Sequence, residues 1–265
     1  MSFELLSLQE ENGVSYVTLN RPEKRNAVST QMLEELAACF DELASRDSVG
    51  AVVLSGEGKV FCAGTDLMEL GGAAQTGPGS FRGNLRRMHR AFSNMEQLEK
   101  VVIAAMHGCA IGAGLEMALA CDLRIASEET VFSLPEVTLG VIPDLGGNQR
   151  LPRIVGLGRA KELILTGRSI TAHEAERIGL VNRVVPLEEL RSAARSLAEE
   201  IIANRPLAVG MAKRNIDECF GLSVYEGLET VSDIQSLLLF GPGSREAFEA
   251  MVERRRASTI LKKQQ

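Results

Sequence analysis

Outside its tail, no basic run interrupts this chain. Its 29 Lys and Arg are outnumbered by 35 Asp and Glu, for a net charge of −6. That balance argues against a nucleic-acid surface, which needs clustered cations against phosphate. The five cysteines, at 39, 62, 109, 121 and 219, show no CxxC pairing and lie mostly in apolar stretches. Buried, reduced thiols are expected rather than disulfides or a thiolate metal site. The three histidines, 89, 107 and 173, have no metal-ligand spacing, so no metal is expected and no histidine is a catalytic candidate. The longest apolar runs are too short, or are broken by Glu116, to cross a bilayer. The opening residues MSFELLSLQEENG carry acids and no basic apolar leader, so the expected compartment is the cytoplasm.

What is present is ordinary globular material, 265 residues with 45% hydrophobic and 24% charged side chains. This is enough chain to bury a sizeable core as one large or two modest domains. Residues 3–8 and 14–19 read as strands joined at Asn12-Gly13, a hairpin signal. A polar loop, 23–28, follows. Ser29 is placed to cap a helix whose apolar face is Leu33, Leu36, Phe40 and Leu43. Residues 50–55 are a buried strand. Residues 71–84, rich in Gly, Ala and Ser, are expected to build little structure and to move, with a helix after them over about 85–99. Strands are expected at 101–106, 122–127, 131–134 and 180–185. Between them the pattern predicts a short helix near 146–155. Thr171 and Glu174 make a capping box for another that ends before Gly179. Residues 187–203 are amphipathic. Beyond them only helices are expected, over 207–220, 224–240 and 244–263, with five cations in the tail 253–265. The organisation therefore divides into 1–203, where β and α units alternate, and 204–265, which is helical.

The chain is organised around residues 106–122, MHGCAIGAGLEMALACD. An apolar strand runs into a turn holding Gly108, Gly112 and Gly114. A helix starts near Ala113 with Glu116 in its first turn. This arrangement aims free backbone N–H groups at one point, and glycine lets a ligand approach the main chain closely. A carboxylate beside such donors suits acid–base work on a substrate whose oxygen becomes negative. The plainer alternative is a buried helix with Glu116 facing water. Residues 56–67, GEGKVFCAGTDL, form a second strand-to-glycine turn of the same kind, or else a plain surface loop.

Four segments then carry a resemblance: NRPEKRNAV at 20–28, FCAGTDL at 61–67, HGCAIGAGLEMALACDLRIAS at 107–127 and PEVTLGVIPDLGGNQRLPRIVG at 135–156. With LTGRSITAHEAERIGLVNRVV at 165–185, they occur in the order found in the enoyl-CoA hydratase/isomerase family, or crotonase superfamily, which the chain resembles. The resemblance implies an α/β fold, a spiral of ββα turns with a C-terminal helical region used for trimer contacts. It implies an acyl-CoA thioester as substrate, with coenzyme A part of that substrate and no separate cofactor. It also implies a homotrimer or a dimer of trimers. By motif position, the N–H groups of Thr65 and Ala113 form an oxyanion hole. The family most often has Gly at the second position, so Ala113 raises a question of clearance and not of donor. Glu116 and Glu136 take the catalytic positions. Lys24 and Arg25 match the loop near the nucleotide phosphates, and Ala63, Asp66 and Leu67 match the segment that receives the adenine. The 71–84 segment is placed to line the acyl pocket.

Asp144 departs from the small residue that many hydratases carry there. It resembles the acid that works with a Glu in dienoyl-CoA isomerases, or it caps the turn before Gly146-Gly147. The resemblance leaves three activities in view: hydration of a 2-enoyl-CoA, double-bond isomerisation using Glu136 with Asp144, and acyl-CoA binding with little turnover.

Overall fold

Asn12 and Gly13 both adopt positive φ, 51° and 81°, which is the geometry of a two-residue hairpin turn matched to the twist of its strands. It joins β1 (Leu6–Glu11) to β2 (Val14–Leu19) with Glu11 opposite Val14 and Leu6 opposite Leu19. That register starts β1 at Leu6, later than the apolar pattern at 3–8 suggests. In β2, Val14, Val17 and Leu19 are buried, Val17 and Leu19 in the main core. Ser29 caps α1 (Thr30–Ala44), its side chain accepting from Met32 N, and Leu33, Leu36, Phe40 and Leu43 are buried as the spacing predicts.

The computed structural model describes residues 3–73, 77–241, 248–249 and 252. After α1 come β3 (Ala51–Gly56), α2 (Leu67–Ala73), α3 (Pro78–Gln97), β4 (Val101–Met106), β5 (Cys109–Ile111) and α4 (Ala113–Leu119). These are followed by β6 (Leu123–Ser127), β7 (Val131–Ser133), α5 (Gly147–Val155), α6 (Leu157–Thr166), β8 (Ile170–Thr171), α7 (Ala172–Arg177), β9 (Arg183–Val185) and α8 (Leu190–Ile202). Contacts divide the chain into two compact units, Met1–Pro206 and Leu207–Gln265. Among the described residues the second holds α9 (Pro206–Cys219), which starts on the last residue of the first, and α10 (Val224–Phe240). A full capping box, Ser223 with Glu226, opens α10.

In the first unit a six-stranded sheet runs β1-β2-β3-β4-β6-β9, and a three-stranded sheet runs β5-β7-β8. Every large-sheet pair after the hairpin is parallel. Successive turns of chain each give one strand to the large sheet, the next to the small one, and then a helix. β4, β5 and α4 make one such turn, and β6, β7 and α5 make another. β3 is followed by a segment whose Cys62 bridges Ala110 in parallel. This is the ββα spiral. It places three parallel stretches side by side, and their C-terminal ends lead to Thr65, Ala113 and Glu136.

Several expectations are corrected. Residues 71–84 do not form an extended mobile loop over the part described, because α2 continues to Ala73 and α3 begins at Pro78. Proline's fixed φ suits the first helical position, and Phe81 N starts the ladder on Gly77 O at 3.1 Å. Ala91, Phe92 and Met95 bury the far end of α3, so tertiary packing carries the helix back through glycines that weaken it locally. The helix α6 was not foreseen. Thr171 does cap α7, accepting from Glu174 N. Glu174, however, turns its carboxylate to Arg168 at 2.8 Å and does not close a capping box. Of the expected helix over 244–263 only residues 248–249 and 252 are described, and these are helical, while the cationic tail lies outside the described residues.

The polar loop at 23–28 is held by one buried polar side chain. Asn26 is fully buried at φ 53°. Its Nδ2 donates to the carbonyls of Glu57, Val60 and Phe61, and its Oδ1 accepts from Arg21 N. Asn26→Ala orphans several buried groups and forces a left-handed alanine. It is expected to cost about 2–4 kcal/mol of stability, read as a lower urea midpoint at unchanged slope.

Candidate active site

Cys62 N donates to Cys109 O at 3.0 Å and Ile111 N to Cys62 O at 3.1 Å. The strands leading to Thr65 and Ala113 are therefore stitched together just before they end. A Cβ on Gly114 would lie 2.7 Å from Cys62 Cβ and O, so only glycine lets α4 begin this close to the neighbouring strand. Gly112 sits at φ 52°, ψ −124°, a conformation an L-residue with a side chain rarely adopts. A Cβ there would meet Glu136 Oε1 at 3.0 Å and Gly64 Cα at 3.9 Å. Gly64 and Gly112 thus lie against each other, and each is followed by an amide, Thr65 or Ala113, that donates to no described group. Ala113 is buried and keeps its N–H.

Glu116 stands in the first turn of α4 and is 1% exposed. Its Oε1 accepts from Leu145 N at 2.9 Å and Gly147 N at 2.8 Å. Burial pushes its carboxyl up to about 8, with Glu136 and Asp144 adding to the rise and the two amides opposing it. Glu136 opens a short 3-10 turn after β7. Burial raises its carboxyl too, and Asp144 adds to the effect against its own backbone N–H. Glu136 Oε2 is buried without a hydrogen-bond partner. An unpaired buried oxygen of this kind is costly and marks a place where a donor is wanted.

Asp144 lines the same cavity, and burial raises its carboxyl. Capping of the turn before Gly146-Gly147 belongs to Glu116 and not to Asp144, because the turn's amides go to Glu116. The cavity measures about 160 Å³. Thr65, Glu116, Glu136 and Asp144 are among its polar lining, and Leu33, Phe81, Leu85 and Met88 are among its apolar walls. The expected contribution of the 71–84 segment is thus made by the helix turn that carries Phe81.

None of the five residues matched to coenzyme A contacts is among those lining the cavity, but the chain joins them to residues that are. Val28 N donates to Gly64 O at 2.7 Å and Asp66 N to Val28 O at 2.8 Å, while Ala63 N donates to Arg25 O at 3.0 Å. One short ladder therefore carries Arg25, Ala63, Asp66 and Leu67, and Val28 and Thr65 within it reach the cavity. Lys24 and Arg25 are exposed. Leu67 is an exposed apolar side chain. The Asp66 carboxylate is engaged inward: it pairs with Arg21 at 2.9 Å and accepts from Met68 N at 3.0 Å. Arg21 holds it below the usual carboxylate range. Glu69 adds a latch on α1, accepting from Thr30 N and Oγ1.

Sequence reasoning missed Asn26, Arg21, Glu69, His89 and Arg150. Asn26 and Arg21 stood inside the recognised NRPEKRNAV segment, so that motif was the available signal. Among the described residues no group of His, Cys, Asp and Glu is arranged to hold a metal, and no helix is long and apolar enough to cross a membrane.

Comparisons with known proteins agree with this geometry. The profile of the family described as Enoyl-CoA hydratase/isomerase matches residues 9–258. The chain is 40% identical over 258 residues to a putative enoyl-CoA hydratase/isomerase, YngF, of Bacillus subtilis, covering 97% of this chain and 98% of that protein. It is 39% identical over 257 residues to a short-chain-enoyl-CoA hydratase of Clostridium acetobutylicum, covering 97% of each. The crystal structure of an enoyl-CoA hydratase from Bacillus anthracis superposes with a TM-score of 0.89 at 38% identity, over 95% of this chain and 97% of that one. With the fold, the paired glycine turns and the sequence matched along almost their whole length, this chain belongs to the enoyl-CoA hydratase/isomerase family.

Proposed function

We propose that the protein adds water across the 2,3 double bond of an enoyl-CoA thioester. The observation that supports this most directly is that Thr65, Glu116 and Glu136 line one small cavity, with the unengaged amide of Ala113 following Gly112, which packs against Glu136 and Gly64. The thioester oxygen is gripped by Thr65 N–H and Ala113 N–H, which strengthen their hold as it becomes an enolate. Glu116 and Glu136 hold a water over the double bond. As its oxygen bonds to Cβ, one carboxylate accepts a proton and the partner carboxylic acid delivers one to Cα. Two neighbouring buried acids do not both ionise readily, so the pair keeps a shared proton near neutrality, as this exchange requires. Lys24 and Arg25 offer charge to the nucleotide phosphates, and Ala63, Asp66 and Leu67 receive the adenine. The reaction needs no separate cofactor.

The test is loss of enoyl absorbance on incubation with crotonyl-CoA, followed by mass analysis of product formed in heavy-oxygen water. Incorporation of one heavy oxygen is the expected result. A second reading is favoured by Asp144, which faces the cavity and is not spent on capping. On that reading Glu136 and Asp144 move a proton between carbons, and the product gains no heavy oxygen. Tight binding of acyl-CoA without turnover of any enoyl substrate would point instead to a binding protein.

We also propose a cytoplasmic homotrimer or dimer of trimers. Exposed apolar side chains on the second unit, among them Ile216, Phe220, Tyr225, Leu228 and Phe240, support an assembly that covers them.

A further inference from the structure

Glu116 is buried, but what aims it lies elsewhere. Both donors to its Oε1 come from one turn, through Leu145 N and Gly147 N. That turn is held by Arg150, whose guanidinium makes three bonds. Nη1 donates to Leu145 O at 3.0 Å, Nε to Glu96 Oε1 at 3.1 Å and Nη2 to Glu96 Oε2 at 2.8 Å. The last two make a bidentate fork, the arrangement that fixes orientation as well as charge. Arg150 is mostly covered, with 12% of its side chain exposed. Gly146 lies under it at φ +112°, and a Cβ there would fall 1.9 Å from Nη1. The guanidinium is therefore pressed across the turn's own backbone. Two further ties act on the same turn, residues 143–147. His89 Nε2 bonds Asp144 O at 2.6 Å, and Asn148 Nδ2 donates to Pro143 O at 2.7 Å.

We propose that Arg150, anchored on Glu96, is a positioning residue for Glu116: it fixes the Leu145 peptide so that two amides lock Oε1 and leave Oε2 as the oxygen that exchanges a proton. The link runs through a single residue, across its Cα. Arg150 grips the Leu145 carbonyl, and the N–H of the same residue grips Glu116. Glu96 belongs to α3, whose Phe81, Leu85 and Met88 line the cavity, so the helix that shapes the acyl pocket also braces the acid. The titratable and charged groups around Glu116 are Glu136 and Asp144, with His89 behind Asp144. Cys62 lies beneath Gly114, and Arg124 bonds Ala118 O at the far end of α4. Arg150 bonds none of these directly, and among them only Asp144 belongs to the turn that it holds.

This inference rests on the hydratase reading for the role of Glu116, and its test separates the two. Arg150→Met is expected to lower kcat about tenfold or more with a smaller change in KM, since the lost interaction orders a reacting group and not bound substrate. The alkaline limb of the kcat profile should move to higher pH, because loosened amides favour the carboxylate less. Added guanidinium should restore part of the rate and move the limb back. Arg150→Lys reaches only one side of the fork and should fall between. Glu96→Gln, which keeps the shape, should shift the limb in the same direction by less. A limb that stays in place in a folded Arg150→Met protein, with no guanidinium rescue, overturns the positioning role. Direct carboxyl titration of Glu116 by carbon NMR in wild type and Arg150→Met reads the same shift without turnover. The positioning role is therefore decided even if the wild-type protein hydrates no enoyl-CoA and the hydratase reading falls.

Discussion

Glu116→Gln is expected to lower kcat for enoyl-CoA hydration by about a hundred- to ten-thousand-fold, the usual worth of a positioned acid–base group, while making the folded protein more resistant to alkaline unfolding. The two effects have one cause. Burial raises the Glu116 carboxyl from its ordinary 4.5 to about 8. Between those values the folded protein holds a proton that the unfolded chain has released. Stability therefore declines as pH rises through that window, and above about 8 the native state carries a buried carboxylate at full cost. Glutamine has no charge to bury, and its carbonyl oxygen still accepts from Leu145 and Gly147. The variant's advantage in Tm should thus be small in mild acid and largest above the upper value. Initial rates with crotonyl-CoA and melting curves across this range check both parts. Retained activity in Glu116→Gln would remove the residue from the chemistry. A wild-type Tm that does not fall relative to the variant on the alkaline side would remove the buried-charge account.

Much of this was legible because the signals are local. An Asn-Gly pair sets the hairpin by its own backbone preference. Ser29 caps α1 through an amide three residues on. The apolar run at 101–106, followed by glycines, gives a strand, a turn and a helix opening at Ala113 with Glu116 in place. What was not legible depends on distant chain. The amides that hold Glu116 come from 29 and 31 residues further along, and nothing near Glu116 announces them. The first half of α3 contains Gly79 and Gly83, so its propensity argues for a loop, and only packing further along the helix argues otherwise. Asn26 is one polar residue in a polar loop, and its burial follows from a second loop, 57–61, closing over it. Asp144 was ambiguous for a related reason. A sequence shows that a turn before two glycines needs a cap, but not that a glutamate on another helix already supplies it.

The second large effect is expected at Ala113→Pro, which tests the oxyanion hole with little disturbance of the fold. Ala113 is the first residue of α4, a position where proline is readily accepted because its amide has no partner within the helix. Gly112 before it adopts φ 52°, ψ −124°, the mirror image of the extended conformation that a residue preceding proline prefers. Glycine, lacking Cβ, takes that mirror form freely. The backbone path should therefore survive, and the urea midpoint should change little. What is lost is one N–H, and the ring's Cδ takes the place of its hydrogen, where the thioester oxygen would rest. Removing one such donor typically costs about 3–4 kcal/mol, roughly a hundred- to a thousand-fold in kcat, and the intruding ring should raise KM as well. Ala113→Gly is the matched control, since it keeps the N–H and widens the approach. If the methyl of Ala113 restricts the substrate, this variant gains in kcat/KM, and if not it stays near wild type. A folded Ala113→Pro protein that still turned over at the wild-type rate would show that the substrate's negative charge is stabilised elsewhere, and the pairing of Thr65 with Ala113 would lose its chemical meaning.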